Sequence, residues 1–347
     1  GNGKELHFKK LMDFDTIGGK SNKNGARFDL DAMYVNWLGL SLKCYLPKSE
    51  NSLSYVWESL KGKISYCNIK RLMFSSGWRY YAEIVVSGDA PTRVSIGTST
   101  MGIDPGVSTI AGVSEDACVL EELAPNAIWY EKKIQKISQR MDRSRRISNP
   151  NKYNENGTIN RSNRDPWKYS KNYVKMRRLL KSLYRKKHAY IIDSHRELCN
   201  KLITIAGYFP VEKMHFQALQ KRAKETKRQE KKTEVKQKDG TVKVIQKYKR
   251  KKRFGRSINR RAPARFLLEL KRKAEAVGGV YAEVDTKEFK ASQYNHVTDT
   301  YEKIPLTQRE KEIGKRKVQR DLYSAFLIRN ADLDFKHPDR EKCEYEF

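Results

Sequence analysis

The chain has 347 residues, of which 38% are hydrophobic, so it is long enough for two or three domains with a sizeable core. It carries 72 Lys and Arg against 41 Asp and Glu, and the formal net charge of +31 favours nucleic acid as partner over an anionic membrane surface or ribosome-like packing. The basic residues are interleaved with 19 Tyr and 5 Trp, a mixture that suits phosphate contact and base stacking. No apolar run reaches the roughly 18 residues of a membrane-spanning helix, and no signal-peptide pattern opens the chain, so no membrane partner is expected.

The cysteines indicate a reducing compartment. Five of them are scattered at long spacings, which argues against a disulfide framework and against a zinc finger. We therefore expect a cytoplasmic protein. Because the chain begins with Gly1 and not with Met, we also expect it to be an incomplete or processed form of a longer product.

Residues 1–95 are predicted to be rich in β-structure. Apolar and polar residues alternate in Tyr34–Leu38 and in Arg79–Val86, and turn signals such as Asn24-Gly25 separate such runs. Many short strands of this kind favour a small β-barrel. Its candidate nucleic-acid contacts are Lys9, Lys10 and Lys20. The alternative is that these lysines lie at solvated loop tips.

The segment Met101–Val113 holds one carboxylate between two short apolar runs and predicts a strand, a tight turn and a second strand. Pro105 suits the second turn position and Gly106 supplies a positive φ for the third, which leaves Asp104 at the end of a strand. The segment alone leaves two interpretations open. Asp104 is either a metal ligand or an ordinary turn-opening aspartate.

From Asn126 to Ile205 the apolar period becomes helical, which predicts two long basic helices joined by a loop between Ser148 and Pro166. The clustered arginines of these helices predict a ridge that follows a phosphate backbone. A helical hairpin exposed to water is the alternative. The candidate contacts are Arg143, Arg146, Arg177 and Arg178.

Residues Gly207–Met214 read as a short buried strand that carries Glu212. Alternation places Phe209 and Val211 on one face and Glu212 on the other, where an unpaired carboxylate is unfavourable unless a cation meets it. Pro210 is expected at a strand start or at a sheet edge, because it lacks a ladder donor.

The most basic stretch follows, over residues 219–262. An Asp-Gly signal at Asp239 leaves a β-ribbon and a disordered arm as alternatives, and either would order on nucleic acid. A helix is predicted from Pro263 to Gly278, followed by a strand from Val280. The candidate contacts in this stretch are Lys221, Arg222, Arg253, Arg256, Arg260 and Arg261.

The last helix is predicted to begin near Lys317 and to carry Asp321 on the same face as Val318, Leu322 and Ala325. A carboxylate on an apolar face needs a partner. A salt bridge to an arginine and metal binding are equally compatible with the pattern.

Three carboxylates thus follow one order: Asp104 at the end of a first strand, Glu212 on a later strand, and Asp321 on a final helix. This is the order of a ribonuclease H-like α/β fold, in which the acids converge at one sheet edge. Hard oxygen ligands favour Mg²⁺ or Mn²⁺. Two such ions can activate water and stabilise the leaving oxygen in phosphodiester cleavage.

The motifs that hold these acids resemble those of the transposon-encoded TnpB family, which is ancestral to the type V CRISPR effectors and has a RuvC-like nuclease domain. Met101–Gly106 is similar to the first RuvC motif, Val211–Phe216 to the second and Gln319–Ala325 to the third. The resemblance implies that Asp104, Glu212 and Asp321 are the catalytic and metal-binding triad. It also implies three parts: a wedge-like nucleic-acid-binding domain at 1–95, a RuvC-like nuclease domain at 96–335 and a tail at 336–347. The nuclease domain would contain a basic helical insertion at 126–205, a basic arm at 219–262 and a degenerate zinc-ribbon position at 287–317.

The resemblance implies a magnesium-dependent, RNA-guided DNA endonuclease that acts in the prokaryotic cytoplasm at the nucleoid, with guide RNA and target DNA as partners. The zinc-ribbon position contains no cysteine, and His296 alone cannot build a site, so no structural zinc is expected. Two alternatives remain. One is a nuclease-inactive RNA-guided DNA-binding protein such as a repressor, and the other is a transposase that joins DNA ends.

Overall fold

The computed structural model describes residues 14–220, 228–236, 240–248, 254–305 and 307–347. The chain divides into two compact units. The first holds the described residues up to 93 together with 128–190, and the second holds 94–127 and 191–347. The fold is mixed α/β with a mixed central sheet. Within the described ranges, no helix is both long enough and apolar enough to cross a membrane.

The first unit contains two three-stranded antiparallel sheets, with strand orders β1-β5-β6 and β2-β3-β4. Among the described residues these strands form two separate sheets and not the predicted closed barrel. The two sheets share a core of apolar side chains that includes Phe28 and Val35. The elements are β1 Thr16–Gly18, β2 Arg27–Asp29, β3 Tyr34–Trp37, β4 Leu40–Lys43, α1 Glu50–Leu60, β5 Lys63–Phe74, β6 Gly77–Ser87, α2 Ala127–Ser148 and α3 Lys171–Ile205.

The two long helices, α2 and α3, occur where the sequence predicts them, and a short 3-10 turn at Pro150–Lys152 begins the loop between them. The grouping of these helices differs from the expected organisation. Residues 128–190 belong to the first unit, although the sequence-based division assigned 126–205 to the nuclease domain. The second half of α3, from Ile191, belongs to the second unit.

The second unit is built on a sheet of order β10-β9-β8-β11-β14, and β7 also pairs with β11. Strand β11 runs parallel to β8 and β14, whereas β8, β9 and β10 are antiparallel. Within the basic stretch, the described strands β12 and β13 pair as an antiparallel ribbon. The elements are β7 Ser99–Thr100, β8 Gly102–Pro105, β9 Thr109–Val113, β10 Cys118–Glu122, β11 Ala206–Glu212, α4 Phe216–Gln220, β12 Arg228–Lys236, β13 Val242–Tyr248, α5 Gly255–Arg261, α6 Pro263–Ala276, β14 Val280–Val284, α7 Thr286–Phe289, β15 Tyr294–Asn295, β16 Thr300–Tyr301, β17 Glu310–Ile313, β18 Arg316–Gln319, α8 Arg320–Arg329 and α9 Arg340–Glu346.

Alternation along the strands divides the side chains between two buried clusters. Ile103 and Val211 belong to a cluster with Phe266 of α6. Ala111 and Leu327 of α8 belong to the other cluster. Because Gly102 and Asp104 alternate with Ile103, they lie on the face opposite the Phe266 cluster.

The hairpin at Asp104 has a different turn from the predicted one. Asp104 and Pro105 lie inside β8, and the turn is closed by the Gly106 N–H, which donates to the Thr109 carbonyl at 2.9 Å. Gly106 does not have a positive φ. A Cβ at Gly106 would instead lie 2.9 Å from the Thr109 carbonyl oxygen, so close approach of the backbone is what favours glycine there.

Pro210 lies within β11, opposite Ala282, and not at a sheet edge as predicted. The Tyr208 carbonyl accepts from the Met101 N–H, so even-numbered residues of β11 direct their backbone groups toward β8. Within the described residues, the register of β8 with β11 has one pair, Val211 with Ile103. The backbone N–H that Pro210 lacks would therefore have faced β8, with which β11 has fewer register pairs than with β14.

The predicted start of the last helix near Lys317 is wrong. Lys317 lies in β18, and α8 begins at Arg320 after the Gln319 side chain caps the Leu322 N–H at 2.6 Å. Residues 323–329 are all buried, so α8 is buried on every side beyond its first turn. Asp321 consequently lies at the helix start and not on the apolar face of an amphipathic helix.

Candidate active site

Two of the three predicted acids occupy neighbouring positions on adjacent parallel strands. Val211 of β11 lies opposite Ile103 of β8, so the next pair in the register is Glu212 and Asp104. Side chains at matched positions of parallel strands point to the same face. The sheet register therefore brings these two carboxyl groups together.

The two carboxyl groups are close enough for each to affect the ionisation of the other. Burial, reinforced by the charge of Glu212, raises the pKa of Asp104 well above its usual range. Burial also raises the pKa of Glu212, although the hydrogen bond with Asp104 opposes that shift. Burial and the neighbouring negative charge thus both oppose the ionisation of Asp104, and a nearby cation would favour it.

Gly102 allows helix α8 to approach the face of the sheet that carries Asp104. A Cβ at Gly102 would lie 2.2 Å from the Ala325 carbonyl oxygen and 2.3 Å from the Arg329 nitrogen. Asp104 is two residues further along the strand on the same face, and Asp321 is one helical turn before Ala325. The contact at Gly102 thus brings the first turn of α8 to the carboxyl pair, and the charge of Asp321 raises the pKa of Asp104 further.

Arginines hold the carboxylate of Asp321. Arg320 donates to its Oδ1 from Nε at 3.2 Å and from Nη2 at 3.1 Å. Arg309 contacts Oδ2 at 3.4 Å, and the Gln319 amide donates to the same oxygen at 3.3 Å. Of the two interpretations that the sequence leaves open for Asp321, the structure shows the salt bridge.

Arg320 also fixes the preceding loop. Its Nη1 donates to the carbonyls of Pro305 and Gln308, and its backbone N–H donates to the Arg309 carbonyl at 2.9 Å. The side chain is only 11% exposed, and its charge lowers the pKa of Asp104. Sequence reasoning missed both arginines. Adjacency to Asp321 was a usable signal for Arg320, whereas nothing in the pattern identifies Arg309.

The structure thus brings Asp104 and Glu212 together, and Asp321 lies near them with its carboxylate bound by arginines. Among the residues it describes, no three His, Cys, Asp or Glu side chains are arranged to hold one metal ion. The donor chemistry of Asp104 and Glu212 nevertheless suits a divalent cation, because two carboxylates at matched strand positions repel each other unless a positive charge lies between them.

The predicted nucleic-acid contacts have different environments. Lys20, Arg143, Arg177, Arg178 and Arg256 are exposed. Arg146 is engaged within the protein: it pairs with Asp142 at 2.9 Å and donates to the Gly157 carbonyl at 3.0 Å. Five candidates lie outside the described residues: Lys9, Lys10, Lys221, Arg222 and Arg253.

Arg261 does not reach the surface. It is 5% exposed and forms an ion pair with Glu122. The neighbouring Arg260 is half-buried. The basic pattern alone could not distinguish these positions from exposed Arg256, because burial depends on how α5 contacts the sheet.

The segment predicted to replace a zinc ribbon, 287–317, contains the hairpin β15–β16, strand β17 and the start of β18. His296 is buried, and its Nδ1 lies 2.8 Å from the Tyr323 hydroxyl. Its backbone N–H also donates to that hydroxyl, at 3.2 Å. His296 therefore anchors this segment to α8 through hydrogen bonds.

No protein-family model and no curated protein matches the chain. Among solved structures, it is similar to a cryo-EM structure of the Cas12f1–sgRNA–target DNA complex, with a TM-score of 0.46 and 13% identity over 82% of this chain and 48% of that chain. It is also similar to a cryo-EM structure of a CRISPR-Cas12f ternary complex, with a TM-score of 0.36 and 14% identity over 84% of this chain and 49% of that chain. The chain thus spans about half the length of these two proteins.

Proposed function

We propose that this protein is a divalent-metal-dependent endonuclease that cleaves DNA at sites chosen by a bound guide RNA. The observation that supports the chemistry best is the half-buried pair of Asp104 and Glu212, which occupy matched positions on adjacent parallel strands. Two acids so placed destabilise the folded protein. Binding of a cation between them would explain why both are present.

Asp104 and Glu212 would hold a Mg²⁺ or Mn²⁺ ion, and Asp321 would complete the ligand set once its carboxylate exchanges arginine for metal. Bound there, the metal supplies Lewis acidity for attack on a phosphodiester. The sheet supplies the orientation, because the strand register fixes both carboxyl groups on rigid backbone. Arg320 maintains the position of Asp321 at the start of α8.

The nucleic-acid part of the proposal is supported by charge. The net charge of +31 is on the scale that binding of several phosphates requires, and the exposed arginines of α2 and α3 are available for them. Guidance by RNA is supported by the TnpB-like motifs at Asp104, Glu212 and Asp321. In such a protein, base pairing selects the sequence and the polypeptide holds the backbone.

The test begins with RNA that copurifies with the protein. This RNA is sequenced, and the ribonucleoprotein is incubated with matched and mismatched DNA in Mg²⁺. We expect cleavage of the matched DNA only, abolished by Asp104→Asn and by chelation. Asp116→Asn is the matched control, because Asp116 is an exposed acid that follows β9 and should leave cleavage unchanged. Cleavage that survives Asp104→Asn, or that ignores the guide, contradicts the proposal.

A second function has one observation in its favour. Asp321 is held by Arg309 and Arg320, as expected of a site that does not use metal. The protein would then be an RNA-guided DNA-binding protein without cutting activity. Guide-dependent binding that is unchanged by Asp104→Asn, together with no nicking by the wild-type protein in Mg²⁺ or Mn²⁺, would favour this alternative.

A further inference from the structure

A cavity of about 500 Å³ lies in the first unit, whereas the three acids belong to the second. It is bounded by the turn between β5 and β6 and by the start of α3. Three of its lining residues are cations on α3, and the others are a serine, a tyrosine and a valine. The lining residues are Ser75, Tyr169, Lys171, Val174, Lys175 and Arg178.

One face of α3 lines the cavity at one end and packs against the β5–β6 hairpin at the other. Arg185 lies 3.8 Å from the ring centroid of Phe74, and Lys181 lies 4.6 Å from that of Trp78. Arg185 Nε also donates to the Met73 carbonyl at 3.3 Å. This end of the basic face is therefore occupied by the hairpin.

Nearer the start of α3, the basic side chains on this face have no described contact of this kind with the hairpin. Lys171, Lys175 and Arg178 follow at spacings of four and three residues, which places them one above the other on α3. All three are exposed, and within the described part of the chain no carboxylate pairs with them. Like charges at this spacing repel each other, so the cavity favours an anion.

The cavity also offers an aromatic face. The Tyr169 ring is 45% exposed and stacks on Tyr173, with centroids 4.5 Å apart and planes at 18°. Tyr173 thus packs against one side of the Tyr169 ring, and Tyr169 also lines the cavity. Such a ring beside cations is the combination by which proteins bind single-stranded nucleic acid.

We propose that this cavity binds one unpaired nucleotide of a nucleic-acid strand. Lys171, Lys175 and Arg178 contact its phosphate, and the base stacks on Tyr169. A base inside a duplex cannot stack on a side chain, so the nucleotide must be unpaired. The volume is within the range of cavities that bind small ligands of this size. The inference rests on the proposed nucleic-acid function, but it does not involve the carboxylate site.

The experiment measures binding of the full-length protein to a fluorescent, single-stranded hexanucleotide in RNA and DNA forms, without divalent metal, over a series of salt concentrations. The double variant Lys171→Gln/Lys175→Gln is compared with Lys132→Gln/Lys136→Gln. This control removes the same charge at the same four-residue spacing from exposed positions on α2. Tyr169→Ala is compared with Tyr169→Phe, which keeps the stacking ring.

We expect the cavity double variant to bind about tenfold more weakly than its control and to lower the salt slope by about 1.4, because each cation contributes about 0.7 on a single strand. Tyr169→Ala should weaken binding about tenfold, and Tyr169→Phe should have little effect. A hexanucleotide with one 5-iodouracil should photocrosslink to Tyr169. The RNA and DNA forms show which strand is preferred.

Equal losses in the two double variants would overturn the proposal, because the effect would then reflect overall charge. So would a crosslink confined to other peptides. Stronger competition by a duplex or by poly-glutamate than by the single strand would assign the cavity to a different partner and also overturn it. The binding assay does not measure cleavage. A protein that fails to cleave DNA could therefore still bind the hexanucleotide, and the two proposals can fail separately.

Discussion

Replacing Gly102 with alanine tests the packing that brings Asp321 to the carboxyl pair. The added Cβ would lie 2.2 Å from the Ala325 carbonyl oxygen, 2.3 Å from the Arg329 nitrogen and 2.8 Å from the Arg329 Cα. All three are backbone atoms, so no side-chain rotation relieves the overlap. Helix α8 must move away from β8 by roughly 1 Å to restore van der Waals contact.

The expected loss of stability follows from that displacement. Overpacking of a buried contact usually destabilises by about 1–3 kcal/mol, and backbone clashes fall at the upper end. For a unit of this size, about 3 kcal/mol corresponds to a decrease in Tm of roughly 6–12 °C. The metal-dependent cleavage that we propose should also fall, because the first turn of α8 carries Asp321.

The assay combines thermal unfolding followed by circular dichroism with hydrogen exchange of peptides from α8. The chain has two units and need not unfold in one step. Hydrogen exchange of α8 peptides measures the stability of the second unit separately. Gly255→Ala is the matched control. A Cβ at Gly255, in the first turn of α5, has no atom within 4 Å, so this variant should be neutral or slightly stabilising.

The reasoning is refuted if Gly102→Ala melts within about 2 °C of the wild-type protein and α8 keeps its exchange protection. That result would mean that α8 does not lie against β8 at Gly102. A decrease in Tm as large for Gly255→Ala would show that the effect is not specific to the contact.

Three further predictions concern charge. Burial lowers the pKa of His195 to about 4, below its unfolded value of 6.5, so its contribution to stability is full above pH 6.5 and is lost as the pH falls to about 4. The loss approaches about 3 kcal/mol, measured by urea unfolding between pH 7 and pH 4, and His195→Leu should remove that part of the pH dependence. Arg320→Gln should lower the free energy of unfolding by about 2 kcal/mol, because its buried guanidinium bonds to a carboxylate and two carbonyls, while Arg309→Gln, at a side chain 66% exposed, should change it by less than about 0.5 kcal/mol. Asp104→Asn should raise the Tm without metal, because it removes a carboxyl group whose ionisation is opposed by burial and by the charges of Glu212 and Asp321, and it should abolish the increase in Tm that we expect Mg²⁺ to produce in the wild-type protein.

Each of these has a clear contrary result. An unchanged pH profile in His195→Leu would show that another group titrates in that window. Equal effects of Arg320→Gln and Arg309→Gln on unfolding would show that the buried contacts of Arg320 contribute nothing measurable. A Mg²⁺-dependent increase in Tm that persists in Asp104→Asn would place the cation elsewhere.

Much of the secondary structure was predictable because it depends on local patterns. Helices α2 and α3, the strand that carries Glu212 and the hairpin that carries Asp104 follow from apolar periods of 3.6 and 2 residues. The errors arose where tertiary contacts override local preference. Gly106 is favoured by the proximity of Thr109 and not by a positive φ, and Pro210 is accommodated inside the sheet.

The sequence by itself determined the order of the three acids, the excess of positive charge and the length of the helical elements. These are properties of composition and of spacing along one chain. Only the tertiary structure decided that Asp104 and Glu212 meet, because strand register depends on pairing between segments about a hundred residues apart. The contact of Arg309 with Asp321, the burial of Arg261 and the basic cavity at Tyr169 likewise depend on which surfaces are brought together in space, and no local pattern encodes them.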